Sequence, residues 1–223
     1  MHETKKNTVK SIEIPVVNDN SSIKQVPNYI SSEKLRTKLV SSSIIITYSA
    51  AAVGSTTILL IVPNFETISL FIFLVTLRFG LKIGFQMMLT TAIIFELFAT
   101  TVYGFGGWVL IFKIIGYLFF ILVAGVMYKK EIYKELINEN NSINQKYLYS
   151  ILFFFIGYSL TIVYDLITTL SIIVIFPSLS LIMVNLIAGI PFFIFHEVTN
   201  GLLFSLIPSI IVLIDKSSIY GNY

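Results

Sequence analysis

The stretch HEVTN, residues 196–200, places His196 beside Glu197 inside an otherwise apolar run. A zinc protease of the HExxH type needs a second histidine where this chain has Asn200. The only other histidine in the chain is His2, in a polar segment near its start. We therefore predict neither a metal site nor a cofactor here, but polar side chains inside a hydrophobic element.

Three further ionisable residues interrupt long apolar runs: Glu96, Lys113 and Asp165. A charged side chain at the middle of a bilayer costs about 2.5 to 3.5 kcal/mol even on the mildest scale, so each one needs a partner or a ligand. His196 and Asn200 are four residues apart and share one face of a helix. We predict an outward-facing site that binds a ligand through Glu96, Tyr103, Trp108, Lys113, Asp165, His196 and Asn200.

Two other roles fit the same residues. In the first, the charges only satisfy one another, with Lys113 pairing with Glu96 or Asp165 and His196 pairing with Glu197. In the second, Glu96, Asp165 and His196 perform acid-base chemistry on a lipid-like substrate. The chain has no GxSxG, no P-loop and no GxGxxG on a strand-to-helix turn, so it lacks the signature of a serine hydrolase or of an ATPase.

The composition is typical of an integral membrane protein. Hydrophobic residues make up 56% of the chain, charged residues only 12%, and the mean hydropathy is +0.86. A soluble core of this size could not bury so much apolar surface. The absence of cysteine excludes disulfides and thiolate sites. We predict an all-α, multi-pass protein of the cell membrane.

Apolar runs long enough to cross a bilayer set the predicted architecture. A hydrocarbon core of about 30 Å needs about 20 apolar residues in a helix. We predict six transmembrane helices, at residues 40–62, 67–77, 83–102, 108–128, 148–176 and 191–214. The second is short. Residues 178–190 are either a lid or the start of a longer last helix, and Pro191 favours a new helix that begins there.

The basic residues predict the orientation. With six spans, one side of the membrane receives Lys34, Arg36, Lys38, Arg78, Lys82, Lys129, Lys130, Lys134, Lys146 and Lys216. The opposite loops, PNFE, YGFGG and FPSLS, contain no lysine or arginine. By the positive-inside rule both termini are cytoplasmic. We expect a flexible polar tail at 1–37, a six-helix transmembrane domain at 38–216 and a short C-terminal tail at 217–223.

The first predicted helix carries small residues at helical spacing. Ser43, Thr47, Ala51 and Ser55 follow one another at intervals of four, with Ala50 and Gly54 beside them. Such rows let a second helix approach closely. The row serves either the packing of the bundle or a partner protein.

Two patches of the chain resemble the substrate-binding S component of energy-coupling factor (ECF) transporters. Residues 77–130 contain a G-x-K-x-G turn at 80–84, a glycine-rich loop with an aromatic residue at 104–108, and then Gly116, Ala124 and Gly125. Residues 188–207 resemble the start of the last helix in one branch of the family. The matching residues are Ala188, Gly189, Pro191, Phe192, His196, Asn200 and Phe204, whereas Phe193 stands where that branch has aspartate.

The resemblance implies a transport subunit rather than an enzyme, with an S-component-like bundle. Such a subunit captures a vitamin-like small molecule on the outer face and delivers it inward with a membrane coupling subunit and two ABC ATPases. In the family a small-residue motif on the first helix contacts the coupling subunit, and it maps onto Ala50, Ala51, Gly54 and Ser55. No nucleic-acid partner is expected. A structural or assembly protein, with the charges stapling the bundle, is the remaining alternative.

Overall fold

The computed structural model describes residues 32–59, 65–103, 107–138, 141–175 and 177–216. Within these ranges the chain is α-helical and contains no strand, which confirms the predicted fold class. The helices are α1 Ser32–Leu59, α2 Ile68–Phe79, α3 Leu81–Tyr103, α4 Gly107–Lys129, α5 Ile132–Leu136, α6 Ile143–Leu170, α7 Ile172–Ile175, α8 Leu179–Ser205 and α9 Ile207–Lys216.

Five helical segments are long and apolar enough to cross a membrane, as expected for a multi-pass protein. They are Glu33–Leu59, Leu81–Thr101, Val109–Lys129, Ile143–Leu170 and Leu179–Lys216. The remaining apolar helix, α2, has 12 residues. At 1.5 Å per residue it is about 18 Å long, less than the hydrocarbon core. The sixth crossing, by α2, and the cytoplasmic position of the termini remain predictions.

The start of the last long helix differs from the prediction. Helix α8 runs without a break from Leu179 to Ser205 and contains Pro191, so the prediction that a new helix begins at that proline is wrong. Residues 179–190 form the first half of α8 rather than a separate lid. In a lipid-embedded helix the backbone groups that a proline frees can be satisfied locally, so the helix continues. The break falls at Leu206 instead, directly before α9.

The N-terminal boundary also differs slightly. Helix α1 begins at Ser32, so residues 32–37 are helical although the sequence assigns them to the tail. The rest of that tail, residues 1–31, and the C-terminal tail at 217–223 lie outside the described residues.

Helix α2 lies at the centre of the bundle. It contacts α1, α3, α4, α5, α8 and α9. Its buried residues are Ile68, Ser69, Leu70, Ile72, Phe73, Leu74, Val75, Thr76 and Leu77. The Phe73 ring packs edge-on against Phe153 of α6 and Phe204 of α8, with ring centroids 6.0 and 5.1 Å apart. Because protein covers α2 on most sides, its short length exposes little of it to lipid.

A glycine makes the tight turn from α2 into α3 possible. Gly80 has φ of +88°, a backbone conformation that side-chain-bearing residues rarely adopt. Its N–H donates to the Thr76 carbonyl at 2.9 Å, which closes the end of α2. This turn is the first part of the G-x-K-x-G stretch.

The contact between α6 and α8 is the most extensive of the described helix pairs. Gly157 of α6 lies directly against Phe204 of α8: a Cβ atom added to the glycine would stand 2.5 Å from the Phe204 Cγ. The missing side chain therefore allows the two helices to approach closely. Gly54 of α1 contrasts with it, because an added Cβ there would meet no atom within 4 Å.

Gly157→Ala is expected to lower the unfolding free energy by about 1 to 3 kcal/mol, since the new methyl group overpacks the α6–α8 contact. The same change at Gly54 meets open space and removes a helix-interior glycine, so stability should stay equal or rise by up to about 1 kcal/mol. Thermal unfolding in detergent, followed by circular dichroism, compares the two variants. Equal midpoints for both would contradict the close packing at Gly157.

Candidate ligand site

Helix direction brings the predicted site residues toward one end of the bundle. Glu96 and Asp165 lie in the second halves of α3 and α6, whereas Lys113 lies early in α4. Glu66 precedes the first residue of α2, at the opposite end of that helix from Arg78. The polar groups therefore gather at the end away from the basic ends of α2 and α4.

Asp165 and His196 form a buried pair that joins α6 to α8. The His196 Nδ1 lies 2.8 Å from Asp165 Oδ1 and 3.1 Å from Oδ2. The two residues expose only 7% and 5% of their surface. The alternative in which His196 pairs with Glu197 is wrong: successive residues diverge by about 100° around a helix, and Glu197 instead interacts with the hydroxyl of Tyr158 on α6.

Asn200 extends this pair by one helical turn. Its Nδ2 donates to Thr161 Oγ1 and to His196 Nε2, both at 3.1 Å. The Thr161 hydroxyl donates in turn to the Gly157 carbonyl at 2.7 Å, so its oxygen is free to accept. An amide nitrogen can only donate, so with Asn200 in this orientation Nε2 is the acceptor and Nδ1–H is the donor to Asp165. The imidazole is thus held from both sides, by Asp165 at Nδ1 and by Asn200 at Nε2.

The facing residues of α6 and α8 form an antiparallel ladder. Asp165 faces His196, Thr161 faces Asn200, and Gly157 faces Phe204. Each step advances four residues along one helix and goes back four along the other, which keeps every rung on one helix face. The prediction that His196 and Asn200 share a face is confirmed.

The buried polar cluster of Asp165, His196, Thr161 and Asn200 has three further members that the sequence pattern does not single out. They are Tyr164, Tyr117 and Glu66. The Tyr164 hydroxyl donates to the Tyr117 hydroxyl at 3.2 Å, and Tyr117 donates to the Glu66 carboxylate. The two tyrosine rings stack with centroids 5.0 Å apart, and the Tyr164 and His196 rings form a T-shaped pair with centroids 6.1 Å apart. Weak signals were available: Tyr164 adjoins Asp165 in the chain, and Tyr117 follows Lys113 by one helical turn.

Lys113 and Glu96 form a second ion pair, between α4 and α3. The Lys113 Nζ lies 2.9 Å from Glu96 Oε2 and 5.5 Å from the centroid of the Phe95 ring. This is one of the two pairings that the sequence allows for Lys113. The lysine and glutamate side chains expose 22% and 10% of their surface, so the lysine remains partly accessible.

The remaining predicted contacts are aromatic. Tyr103 and Trp108 lie at the facing ends of α3 and α4. Their side chains, and the loop at 104–106 between them, lie outside the described residues. Their place in a ligand site remains a prediction.

One polar atom of the cluster is unsatisfied. Asn200 is 1% exposed, and its Oδ1 has no hydrogen-bond partner among the described residues. A buried carbonyl without a donor costs about 1 to 3 kcal/mol. The amide nitrogen already donates to Thr161 and His196, so Oδ1 is the atom of this side chain whose capacity to accept a hydrogen bond is unused.

The small residues on α1 form a separate surface. Ala50, Ala51 and Gly54 are exposed, whereas Ala52 and Thr56 on the other side of the helix are buried in the bundle. The three exposed residues therefore do not pack against the described part of the chain.

Ser55 lies at the edge of this surface. Its hydroxyl is 2.7 Å from the Ala51 carbonyl and 2.6 Å from Thr67 Oγ1, just before α2. The fourth small residue of the row therefore ties α1 to the start of α2.

Comparison with protein-family models, with curated proteins and with solved structures gives no match to this chain. Function is therefore inferred from the geometry of the chain itself.

The ladder predicts the tautomer of His196. The chain has two histidines, so His2→Gln leaves one imidazole to observe by nitrogen NMR of 15N-histidine-labelled protein. At neutral pH we expect a protonated Nδ1 and an unprotonated Nε2. Asp165→Asn weakens the acceptor for Nδ1–H and should shift both resonances toward an exchange average. A spectrum of imidazolium, or of the Nε2–H tautomer, would contradict the hydrogen-bond directions.

Proposed function

We propose that this protein is the membrane-embedded substrate-capture subunit of an ECF-type importer. It binds a vitamin-like small molecule at the polar cluster between α4, α6 and α8. A membrane coupling subunit and two ABC ATPases complete the importer and drive delivery. The observation that carries the proposal is the unsatisfied Asn200 Oδ1 inside a buried network that is otherwise fully paired.

A purely structural staple would not need this arrangement. Asp165 pairs with His196 directly, and Asn200 serves His196 and Thr161 through its nitrogen alone, so the links of the ladder leave Oδ1 unused. Polar groups inside a membrane protein are costly, and when retained they mark ligand or ion paths. The leftover acceptor supports a bound donor group over internal stapling.

The chemistry around the ladder favours an amphipathic ligand with polar groups. The stacked rings of Tyr117 and Tyr164, which expose only 2% and 6% of their surface, place a buried aromatic pair beside the ladder. Glu96 and Lys113 bring both signs of charge, and the lysine is partly accessible. A heteroaromatic or zwitterionic molecule that carries an N–H or O–H donor fits these groups.

The exposed small residues of α1 support the proposal that a membrane coupling subunit docks on this helix. Helices in lipid associate through close packing of small residues, because lipid tails are as apolar as leucine and give no hydrophobic drive. Ala50, Ala51 and Gly54 offer such a face and use it for no contact in the described bundle. A transmembrane helix of a coupling subunit is the partner that fits.

The Asp165–His196 pair also invites the alternative of an intramembrane enzyme. An aspartate that orients a histidine is half of a base–nucleophile arrangement. Here, however, His196 Nε2, the nitrogen that would serve as the base, accepts from Asn200. The nearby hydroxyl of Thr161 is bonded to the Gly157 carbonyl. The geometry thus favours binding over catalysis.

Replacing Asn200 by leucine keeps the side-chain size and removes both Oδ1 and the Nδ2 donor to Thr161 and His196. We expect ligand affinity to fall about tenfold or more, the value of one lost hydrogen bond. The ligand is whatever small molecule copurifies with the wild-type protein in mild detergent and is identified by mass spectrometry. Asn185→Leu is the matched control, because Asn185 is an exposed residue of the same helix. Equal retention in both variants, with a destabilised Asn200→Leu protein, would assign the network to stapling instead.

Gly54→Leu and Ala51→Leu should leave ligand retention intact and abolish uptake into cells, because the added side chains push a docked helix away from α1. Ala188→Leu is the matched control, an exposed alanine on α8. Uptake assays and copurification of partner subunits test the pair. Normal uptake in both α1 variants would exclude this face as the docking surface.

A further inference from the structure

A groove lies between α4, α5 and α6, away from the polar cluster. Its walls come from Leu122, Val126 and Met127 of α4 and from Leu152 and Ile156 of α6, and Lys130 stands at its end. The groove volume is about 460 Å³. Every other residue that lines it is apolar, so the groove pairs a long hydrophobic wall with one cation.

The groove opens to the outer surface of α4 and α6, two helices that are long and apolar enough to cross a membrane. Leu122, Val126 and Leu152 expose 59%, 54% and 46% of their surface, so the bundle does not cover them. From Leu122 to Lys130 the chain advances about 12 Å at the helical rise. That length is close to half of a hydrocarbon core of about 30 Å, which is the depth of one leaflet. The apolar wall therefore matches one acyl chain, and the lysine lies at the level of a head group.

Lys130 is available for an anion. It is exposed, and it makes no ion pair within the described residues. The neighbouring carboxylate of Glu131 is taken by Lys134, with their charged atoms 2.6 Å apart. No acidic side chain lines the groove. Positive charge at the head-group level attracts anionic lipids.

We infer that this groove binds an anionic phospholipid, with an acyl chain along α4 and α6 and the phosphate on Lys130. The inference does not rest on the proposed transport function. The occupant is a lipid rather than a free phosphate, because most of the groove surface is apolar and faces the bilayer.

The test is retention of phosphatidylglycerol by protein reconstituted in vesicles of equal parts phosphatidylglycerol and phosphatidylcholine. After extraction, native mass spectrometry counts the lipids that stay bound through stepwise delipidation. Lys130→Gln should lower phosphatidylglycerol retention about fivefold. Lys129→Gln is the matched control, since it removes the same charge from the adjacent exposed residue that does not line the groove. Equal losses in both variants would reduce the effect to general surface attraction and overturn the site.

A second variant tests the groove without changing charge. Val126→Phe fills the apolar wall and should also lower phosphatidylglycerol retention, whereas Ile111→Phe, at an exposed position elsewhere on α4, should not. Displacement of the bound lipid by inorganic phosphate alone would assign Lys130 to a phosphate site and overturn the lipid. Retention of phosphatidylcholine equal to that of phosphatidylglycerol would also overturn the role of the lysine.

Discussion

Helix α2 has 12 residues, and nearly all of its side chains face other helices rather than lipid. A helix too short for the bilayer is tolerated only where protein surrounds it, because lipid offers no partner for exposed backbone groups at its ends. The other helices therefore have to enclose α2, and they do so through aromatic residues. Phe73 of α2 touches both Phe153 of α6 and Phe204 of α8. The same residue, Phe204, thus helps to enclose α2 and also forms the close contact between α8 and α6.

That packing also sets the geometry of the polar cluster. Phe204 lies one helical turn beyond Asn200, and Gly157 one turn before Thr161, so the tight contact between Phe204 and Gly157 is the next rung of the same ladder. A larger residue at 157 would move α8 outward, and hydrogen bonds of about 3 Å do not survive such a shift. The apolar contact near α2 therefore holds the Asp165–His196 pair in register, although no polar atom of that pair touches α2.

The helical elements follow from the sequence because apolar runs interrupted by charges, glycine and proline are strong signals. The same signals identify Asp165, His196 and Asn200 as residues that need partners. Which partners they take depends on helix register: His196 pairs with a residue 31 positions away rather than with its neighbour Glu197. The sequence does not predict the hydrogen bond from Tyr117 to Glu66 either, because a tyrosine in an apolar run is typical of core packing. Pro191 leads to a wrong predicted helix start because the surroundings of a proline, rather than the residue alone, decide whether the helix continues through it.

Helix α1 joins the bundle through a face that combines hydroxyl groups with apolar side chains such as Ile44 and Ala52, and its exposed small residues lie elsewhere on the helix. Ser49 accepts from Thr91 of α3 at 3.0 Å, and Thr56 contacts Thr67 at 2.8 Å. In lipid, hydrogen bonds between hydroxyl groups hold helices together where apolar contact supplies no net drive. Because one face of α1 is fixed in this way, the exposed face can carry Ala50 and Gly54 between Ile46 and Ile58 without loss of attachment. The helix is therefore bound firmly on one side, while Ala50, Ala51 and Gly54 on the other side stay exposed and contribute nothing to its attachment.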